Sequence, residues 1–254
     1  MQMKLTHKVS VAAHRGDSCN YYENTMEAFE AAIREGVDMI ETDVHLTKDL
    51  EMVLIHDHTL DRTTDARGPV KDMDLAEIRK LNAGSPQHYC QIPTLRELLE
   101  LLSGTDVLLN LEFKEYYEEG NEERCELCVD KAVELLEEFG FTDRMVFNSF
   151  DAHVLEYIDR KYKGRGYLLH GFYPYDRMSH VERDPAEYLY CACVLFRKNT
   201  ESFEFLKEHG IEAWFGCSVV CEDMMDFYAK NGAKLITTND PADTIRKLEA
   251  RGWR

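Results

Sequence analysis

The chain has 254 residues, 44% hydrophobic and 31% charged, enough to bury a substantial core and far from the composition of a disordered polymer. Its 30 Lys and Arg face 48 Asp and Glu, a formal net charge of −18. That balance argues against nucleic acid as a partner and against stable association with an anionic membrane, because both would be repelled. An anionic substrate would have to be met by a local cation that overcomes the global field. Met1 to Ser10 lacks the apolar core of a secretion signal, and no run approaches the length of a membrane span, so the expectation is a cytoplasmic protein. The eight cysteines, at 19, 90, 125, 128, 191, 193, 217 and 221, then read as reduced thiols. Cys125 and Cys128 form a C-x-x-C, but it falls in mid-helix without a second pair, which argues against zinc or redox use.

In chain order, short aliphatic runs alternate with amphipathic helices. Val9 to Ala13 reads as a strand, and Asn24-x-x-Glu27 as a capping box opening a helix that places Met26, Phe29 and Ile33 on one face and stops at Gly36. Met39 to Val44 is the second strand. Glu51 to His56, reached through Thr47-Lys48-Asp49, reads as the return arm of a hairpin on it. Asp74-x-x-Glu77 then caps a short helix bearing Leu75, Ile78 and Leu81, so residues 47–92 form a hairpin and small helical insertion over the mouth of the fold. Thr94 and Glu97 cap the next helix, and Val107 to Phe113 follows as a strand. A helix with Cys128, Ala132, Leu135 and Phe139 ends at Gly140. Further strands are expected at Met145–Ser149, Gly166–His170, Ala192–Phe196, Glu212–Gly216 and Lys234–Thr238, with helices in the gaps and a last helix capped by Asp240 with Pro241 at its first position. Eight strands alternating with helices predict a single α/β domain over residues 1–254, a closed TIM-type (β/α)8 barrel with chemistry at the C-terminal ends of its strands. The competing open doubly wound sheet would want a Gly-rich phosphate loop after the first strand, and His14-Arg15-Gly16-Asp17 is not one.

Polar residues gather at the expected strand ends: His14 and Arg15, Glu41 and Asp43, His56, then Glu112 and Lys114. A spacing of two on a strand puts Glu41 and Asp43 on one face, and Glu112 on the neighbouring strand can join them. An all-oxygen set of this kind suits a hard divalent cation, Mg²⁺ or Ca²⁺. Each residue alone has a bland reading as a packing histidine, a solvated strand end or a surface ion pair. Charges converging on one barrel rim must pair or bind metal, however, and that convergence favours a site.

The ordered blocks His14-Arg15-Gly16, Glu23-Asn24-Thr25, Glu41-x-Asp43-Val44 and His56-Asp57-x-x-Leu60-x-Arg62-Thr63-Thr64 resemble the signature of glycerophosphodiester phosphodiesterases. Leu111-Glu112-Phe113-Lys114, Ser149-Phe150 and Thr238-Asn239-Asp240-Pro241 are similar to that family's later blocks, so the likeness runs from residue 11 to about residue 248. It implies a TIM barrel and metal-dependent hydrolysis of a small-molecule glycerophosphodiester to glycerol 3-phosphate and an alcohol. It also implies His14 and His56 as the catalytic pair, Glu41, Asp43 and Glu112 as metal ligands, and Arg15 with Lys114 as phosphate contacts. Three positions depart from the family pattern: Tyr22 stands where proline is usual, Leu50 replaces a turn glycine, and Trp214-Phe215-Gly216-Cys217 keeps a late tryptophan without the polar residues after it. Trp214 is therefore a candidate wall of the alcohol pocket. Of His56 and His14, the hairpin residue His56 is the expected acid. Two rival readings are a zinc amidohydrolase-like barrel using His56-x-His58 with His170, and an inactive phosphate-ligand binding barrel.

Overall fold

The computed structural model describes residue 3 and residues 5–195, 199–216 and 222–254. Cys217, Cys221 and the end of the expected strand at Phe196 lie outside the described residues. Among the described residues there are nine strands: β1 (Ser10–His14), β2 (Met39–Leu46), β3 (Met52–Leu54), β4 (Leu108–Phe113), β5 (Met145–Asn148), β6 (Leu168–Tyr173), β7 (Cys191–Val194), β8 (Glu212–Gly216) and β9 (Leu235–Thr238). All except β3 pair in parallel in the order β1-β2-β4-β5-β6-β7-β8-β9, and β9 returns to β1, closing the barrel. The short β3 runs antiparallel to the end of β2, with Val44 opposite Leu54. The α-helices are α1 (Met26–Glu35), α2 (Leu75–Ile78), α3 (Leu95–Ser103), α4 (Glu122–Glu138), α5 (Ala152–Lys161), α6 (Thr200–Glu208), α7 (Glu222–Lys230) and α8 (Pro241–Ala250).

Local chemistry explains most element ends. Thr94 and Glu97 form the expected capping box of α3, Asp240 caps α8 ahead of Pro241, and Gly36 ends α1 in the left-handed region. Three expectations are corrected. The cap of α1 is Thr25, whose Oγ1 accepts from Ala28 N at 3.3 Å, and not Asn24, whose amide is drawn to the barrel carboxylates. The gap between β6 and β7 holds only two 3-10 turns, Tyr175–Arg177 and Pro185–Glu187, and no α-helix; Pro185 falls inside the gap, where it would break a longer helix. Strand β6 runs on to Tyr173, so His170 lies within the strand and not at its end.

Inside the barrel, inward side chains stack in layers along each strand. The lower layer is apolar: Ala12, Met39, Leu108, Val146, Cys191, Trp214 and Leu235 pack together, with Met3 against them. Two residues further along the strands the inward positions turn polar, with Glu41 after Met39, Asn110 after Leu108 and Thr237 after Leu235. A larger apolar shell, including Phe29, Leu98, Leu99, Leu102, Leu155 and Leu206, fills the space between strands and helices. The insertion has a small core of its own around Val53, Leu60, Val70, Ile78 and Ile92. Cys125 and Cys128 are buried and free in α4. Burial pushes the Cys128 thiol well above its ordinary value and Cys125 up to about 12, so neither offers a thiolate.

Where β2 outruns the barrel, Glu115 ties its end to α4. Its carboxylate accepts from Leu46 N at 3.0 Å and from Arg124 Nε at 2.9 Å, with His45 Nδ1 at 3.5 Å. Burial works to raise its pKa, but His45 and Arg124 outweigh that and hold it at about 2. A depressed carboxylate stabilises the fold above its unfolded pKa, and that contribution is lost as pH falls toward the folded value. Glu115→Gln should therefore cost about 2–3 kcal/mol at neutral pH, and the gap should shrink below about pH 4. Urea unfolding of both proteins at the two pH values checks this, and an undiminished gap in acid would contradict it.

Candidate active site

Three carboxylates meet inside the barrel mouth. Glu41 and Asp43 project from β2 and Glu112 from β4, all buried, with one oxygen of each within 4.8 Å of the others. Asp43 pairs with Glu112 in the strand register, which explains the approach. Such a cluster cannot be fully ionised without cations. Burial, then Asp43 and Glu112, drive the Glu41 pKa well above its ordinary value, and burial raises Glu112 as well. Asp43 goes the other way: burial would raise it, but Lys114 and Arg15 outweigh burial and lower it. Lys114 Nζ bonds Glu112 and lies 3.2 Å from Asp43 Oδ1. Burial would deprotonate Lys114, but Glu112 and Asp43 reverse that and raise its pKa.

The β1–α1 loop supplies the second cation. Arg15 adopts φ 60° and Gly16 φ 79°, and a Cβ on Gly16 would lie 2.6 Å from the backbone carbon of Ala28. Glycine is thus required where this loop presses on α1. The turn sets Arg15 Nε 3.3 Å from Asp43 Oδ2, while Nη1 donates to Glu23 at 2.8 Å. Asn24, also at positive φ, donates from Nδ2 to Asp43 Oδ2 at 2.9 Å and accepts from Thr42 Oγ1 at 2.8 Å.

The two histidines have different partners. His14 Nδ1 lies 2.6 Å from Asn239 Oδ1 and His14 Nε2 3.8 Å from Glu41. An amide oxygen accepts, so Nδ1 carries the hydrogen and Nε2 keeps its lone pair. Burial, helped by the Arg15 charge, lowers its pKa to about 4, so the ring is neutral near pH 7. His56, two residues beyond β3, holds Asp57 Oδ1 through Nδ1 at 2.6 Å. Burial lowers its pKa as well, with Asp43 and Asp57 acting against that trend. Arg62 donates to both Asp57 oxygens and both Glu23 oxygens at 2.7–3.0 Å. A continuous chain of contacts therefore runs His56–Asp57–Arg62–Glu23–Arg15–Asp43, from the insertion into the barrel.

His14, Arg15, Glu41, His56, Glu112 and Lys114 line one cavity of about 330 Å³. Its floor is Asn110, Asn148 and His170, and Phe150, Phe172 and Leu195 form an apolar wall. Asn110 Oδ1, Asn148 Oδ1 and His170 Nε2 make no hydrogen bond among the described residues. Burial lowers the His170 pKa to about 3, leaving it neutral. Two expectations are corrected. Trp214 does not line this cavity; it lies in the apolar layer beneath, with Nε1 on Glu212 and its ring 4.9 Å from His170. His56, His58 and His170 do not form a ligand set among the described residues, because His58 packs edge-on against His45 and Tyr116. The supporting roles of Asn24, Asp57, Arg62 and Asn239 went unassigned in the sequence, although all four stand inside its recurring blocks.

A closed barrel with acids, cations and histidines converging at the C-terminal rim is the arrangement of a TIM-barrel enzyme. The chain belongs to the glycerophosphoryl diester phosphodiesterase family, whose sequence model matches residues 14–252. It is 35% identical over 255 residues to a glycerophosphodiester phosphodiesterase of Caldanaerobacter subterraneus, covering 96% of this chain and 99% of that one. Among solved structures it is similar to an Oleispira antarctica phosphodiesterase in complex with the product sn-glycerol-3-phosphate. The TM-score is 0.79 at 26% identity, over 94% of this chain and 96% of that one. A Thermotoga maritima glycerophosphodiester phosphodiesterase aligns with TM-score 0.74 at 25% identity, over 94% and 97% of the two chains.

Arg62 touches no cavity group directly, yet it orients both ends of the contact chain. Arg62→Gln should lower phosphodiester turnover on the order of 10- to 100-fold with little change in melting temperature, since its ion pairs are half-exposed. Steady-state kinetics beside a thermal melt checks this; unchanged kcat and KM would show that the chain of contacts does not position the site.

Proposed function

We propose that the protein hydrolyses glycerophosphodiesters to glycerol 3-phosphate and an alcohol, using a divalent metal and the pair His14 and His56. The observation that carries the reading is the buried trio Glu41, Asp43 and Glu112, of which Glu41 and Glu112 line one cavity together with both histidines. The donor set fits a hard cation: it is all oxygen, and the single ammonium of Lys114, bonded to Glu112 and 3.2 Å from Asp43 Oδ1, offsets only part of its charge. Glu41, Asp43 and Glu112 would hold Mg²⁺ or Ca²⁺, which when bound would neutralise charge on the non-bridging phosphate oxygens.

Arg15 and Lys114 would attract the phosphodiester anion into an otherwise acidic molecule. The unpartnered amide oxygens of Asn110 and Asn148 and the neutral His170 suit the hydroxyls of a glycerol unit at the cavity floor. His14, neutral and with Nε2 unprotonated, is arranged as the base that takes a proton from the attacking oxygen, whether of water or of the neighbouring glycerol hydroxyl. His56 is arranged as the acid: Asp57 favours its imidazolium, and the charge of a bound phosphodiester reinforces that preference. It would give its proton to the departing alkoxide. The charge of −18, which would repel an anionic bilayer, favours soluble deacylated diesters over intact membrane lipid.

One assay set tests the proposal. Glycerol 3-phosphate release from glycerophosphocholine should vanish in EDTA and return with Mg²⁺ or Ca²⁺. His14→Asn and His56→Asn should each lose on the order of 10²–10⁴ in rate. An aryl phosphodiester, whose leaving group needs no proton, should rescue His56→Asn but not His14→Asn. Full turnover by metal-free protein, or equal losses by both variants on both substrates, would contradict the metal or the division of labour respectively.

A further inference from the structure

A second cluster of metal-binding side chains lies outside the barrel, between α1 and the insertion. Glu27 in the first turn of α1, His88 and Cys90 bring a carboxylate oxygen, an imidazole nitrogen and a thiol sulfur within 4.8 Å of one another. His88 Nε2 already contacts Glu27 Oε2 at 2.7 Å. Cys90 is buried and free. The loop holding the two insertion ligands is closed on itself. Asn82 Oδ1 accepts from Cys90 N at 3.0 Å, Ala83 N donates to Cys90 O at 2.8 Å, and Ser85 and His88 exchange backbone bonds at 2.9 and 3.1 Å. The His88 ring also stacks on Tyr22, with centroids 6.1 Å apart. A cavity of about 280 Å³, lined by Thr25, Glu27, Arg79, Tyr89 and Cys90, opens beside the thiol and gives an entry path with room for water.

We propose that Glu27, His88 and Cys90 form a zinc site that clips the insertion to α1. Thiolate, imidazole and carboxylate together are a borderline-soft set, which selects zinc over the hard cations suited to the barrel trio. Tetrahedral bonds of about 2.0–2.3 Å need ligand atoms roughly 3.3–3.8 Å apart. Cys90 is fixed by its backbone, so the adjustment falls to Glu27 and His88, whose side chains are about half-exposed and can move. Binding replaces the His88–Glu27 contact with two coordinate bonds, releases the Cys90 thiol proton to solvent and leaves a fourth position for water. Glu27 stands four residues after Glu23, so the clip braces the helix behind the loop that carries Arg15, Glu23 and Asn24. Its role is structural and independent of the barrel metal.

The test uses the whole protein in excess Mg²⁺, which occupies the oxygen site, titrated with Co²⁺ and then Zn²⁺. A thiolate-to-cobalt charge-transfer band should appear in the near ultraviolet at one equivalent and be displaced by Zn²⁺. Zinc at a hundredfold excess over its Kd should raise the melting temperature on the order of 5 °C. Both effects should be lost in Cys90→Ser and in His88→Asn; the latter alters an exposed side chain and leaves the core intact. No band at saturating Co²⁺, a band that survives Cys90→Ser and so belongs to another thiol such as the exposed Cys19, or a zinc-induced rise that persists in His88→Asn would each overturn the proposal.

Discussion

The burial of Glu41, Asp43 and Glu112 in one barrel mouth is the constraint around which the rest is arranged. An isolated buried charge is costly, and three like charges within 4.8 Å compound the cost. Two cations are brought in against them. Lys114 comes from the strand end beside Glu112, and Arg15 from a turn that only Gly16 permits. Even so, the directions of the pKa shifts divide: Asp43, faced by both cations, stays ionised, while Glu41 is driven toward its protonated form. The site stores an unmet demand for positive charge, the property wanted of a metal and phosphate pocket.

That demand also organises the outer parts of the molecule. Arg15 is held by Glu23, Glu23 by Arg62, and Arg62 by Asp57, which holds His56. The insertion carrying His56 and Arg62 has its own apolar core and joins the barrel through β3, which pairs antiparallel with the end of β2. These charged contacts add to the pairing of β3 with β2 and the Arg79–Glu97 ion pair in tying the insertion to the barrel. A clip between Glu27 and the loop of His88 and Cys90 would brace the same junction from its other side.

Much of this was legible in the sequence because it rests on periodicity and on motif order. Spacing of two along β2 placed Glu41 and Asp43 together, and parallel pairing with β4 delivered Glu112 beside them. The layering beneath was harder to read. Trp214 has the inward phase of a site residue, but its height in the barrel depends on strand stagger, which the sequence does not express, and it lies one layer too low. Asn24 has the composition of a helix cap; tertiary contact with Asp43 and Thr42 claimed its side chain, and Thr25 took the cap. Asn110, Asn148 and His170 sit inside apolar strand patterns, where nothing marks a polar residue as cavity floor until the barrel closes.

The carboxylate trio is electrostatically strained until a metal cation joins Lys114 and Arg15. Thermal melts of the wild type and Glu41→Gln, each in EDTA and in excess Mg²⁺ or Ca²⁺, test it most directly. Glu41→Gln should melt no lower than the wild type in EDTA, because a neutral amide relieves the repulsion. The wild type should gain stability with metal and the variant little. A wild type indifferent to metal, with Glu41→Gln clearly destabilised in EDTA, would contradict it.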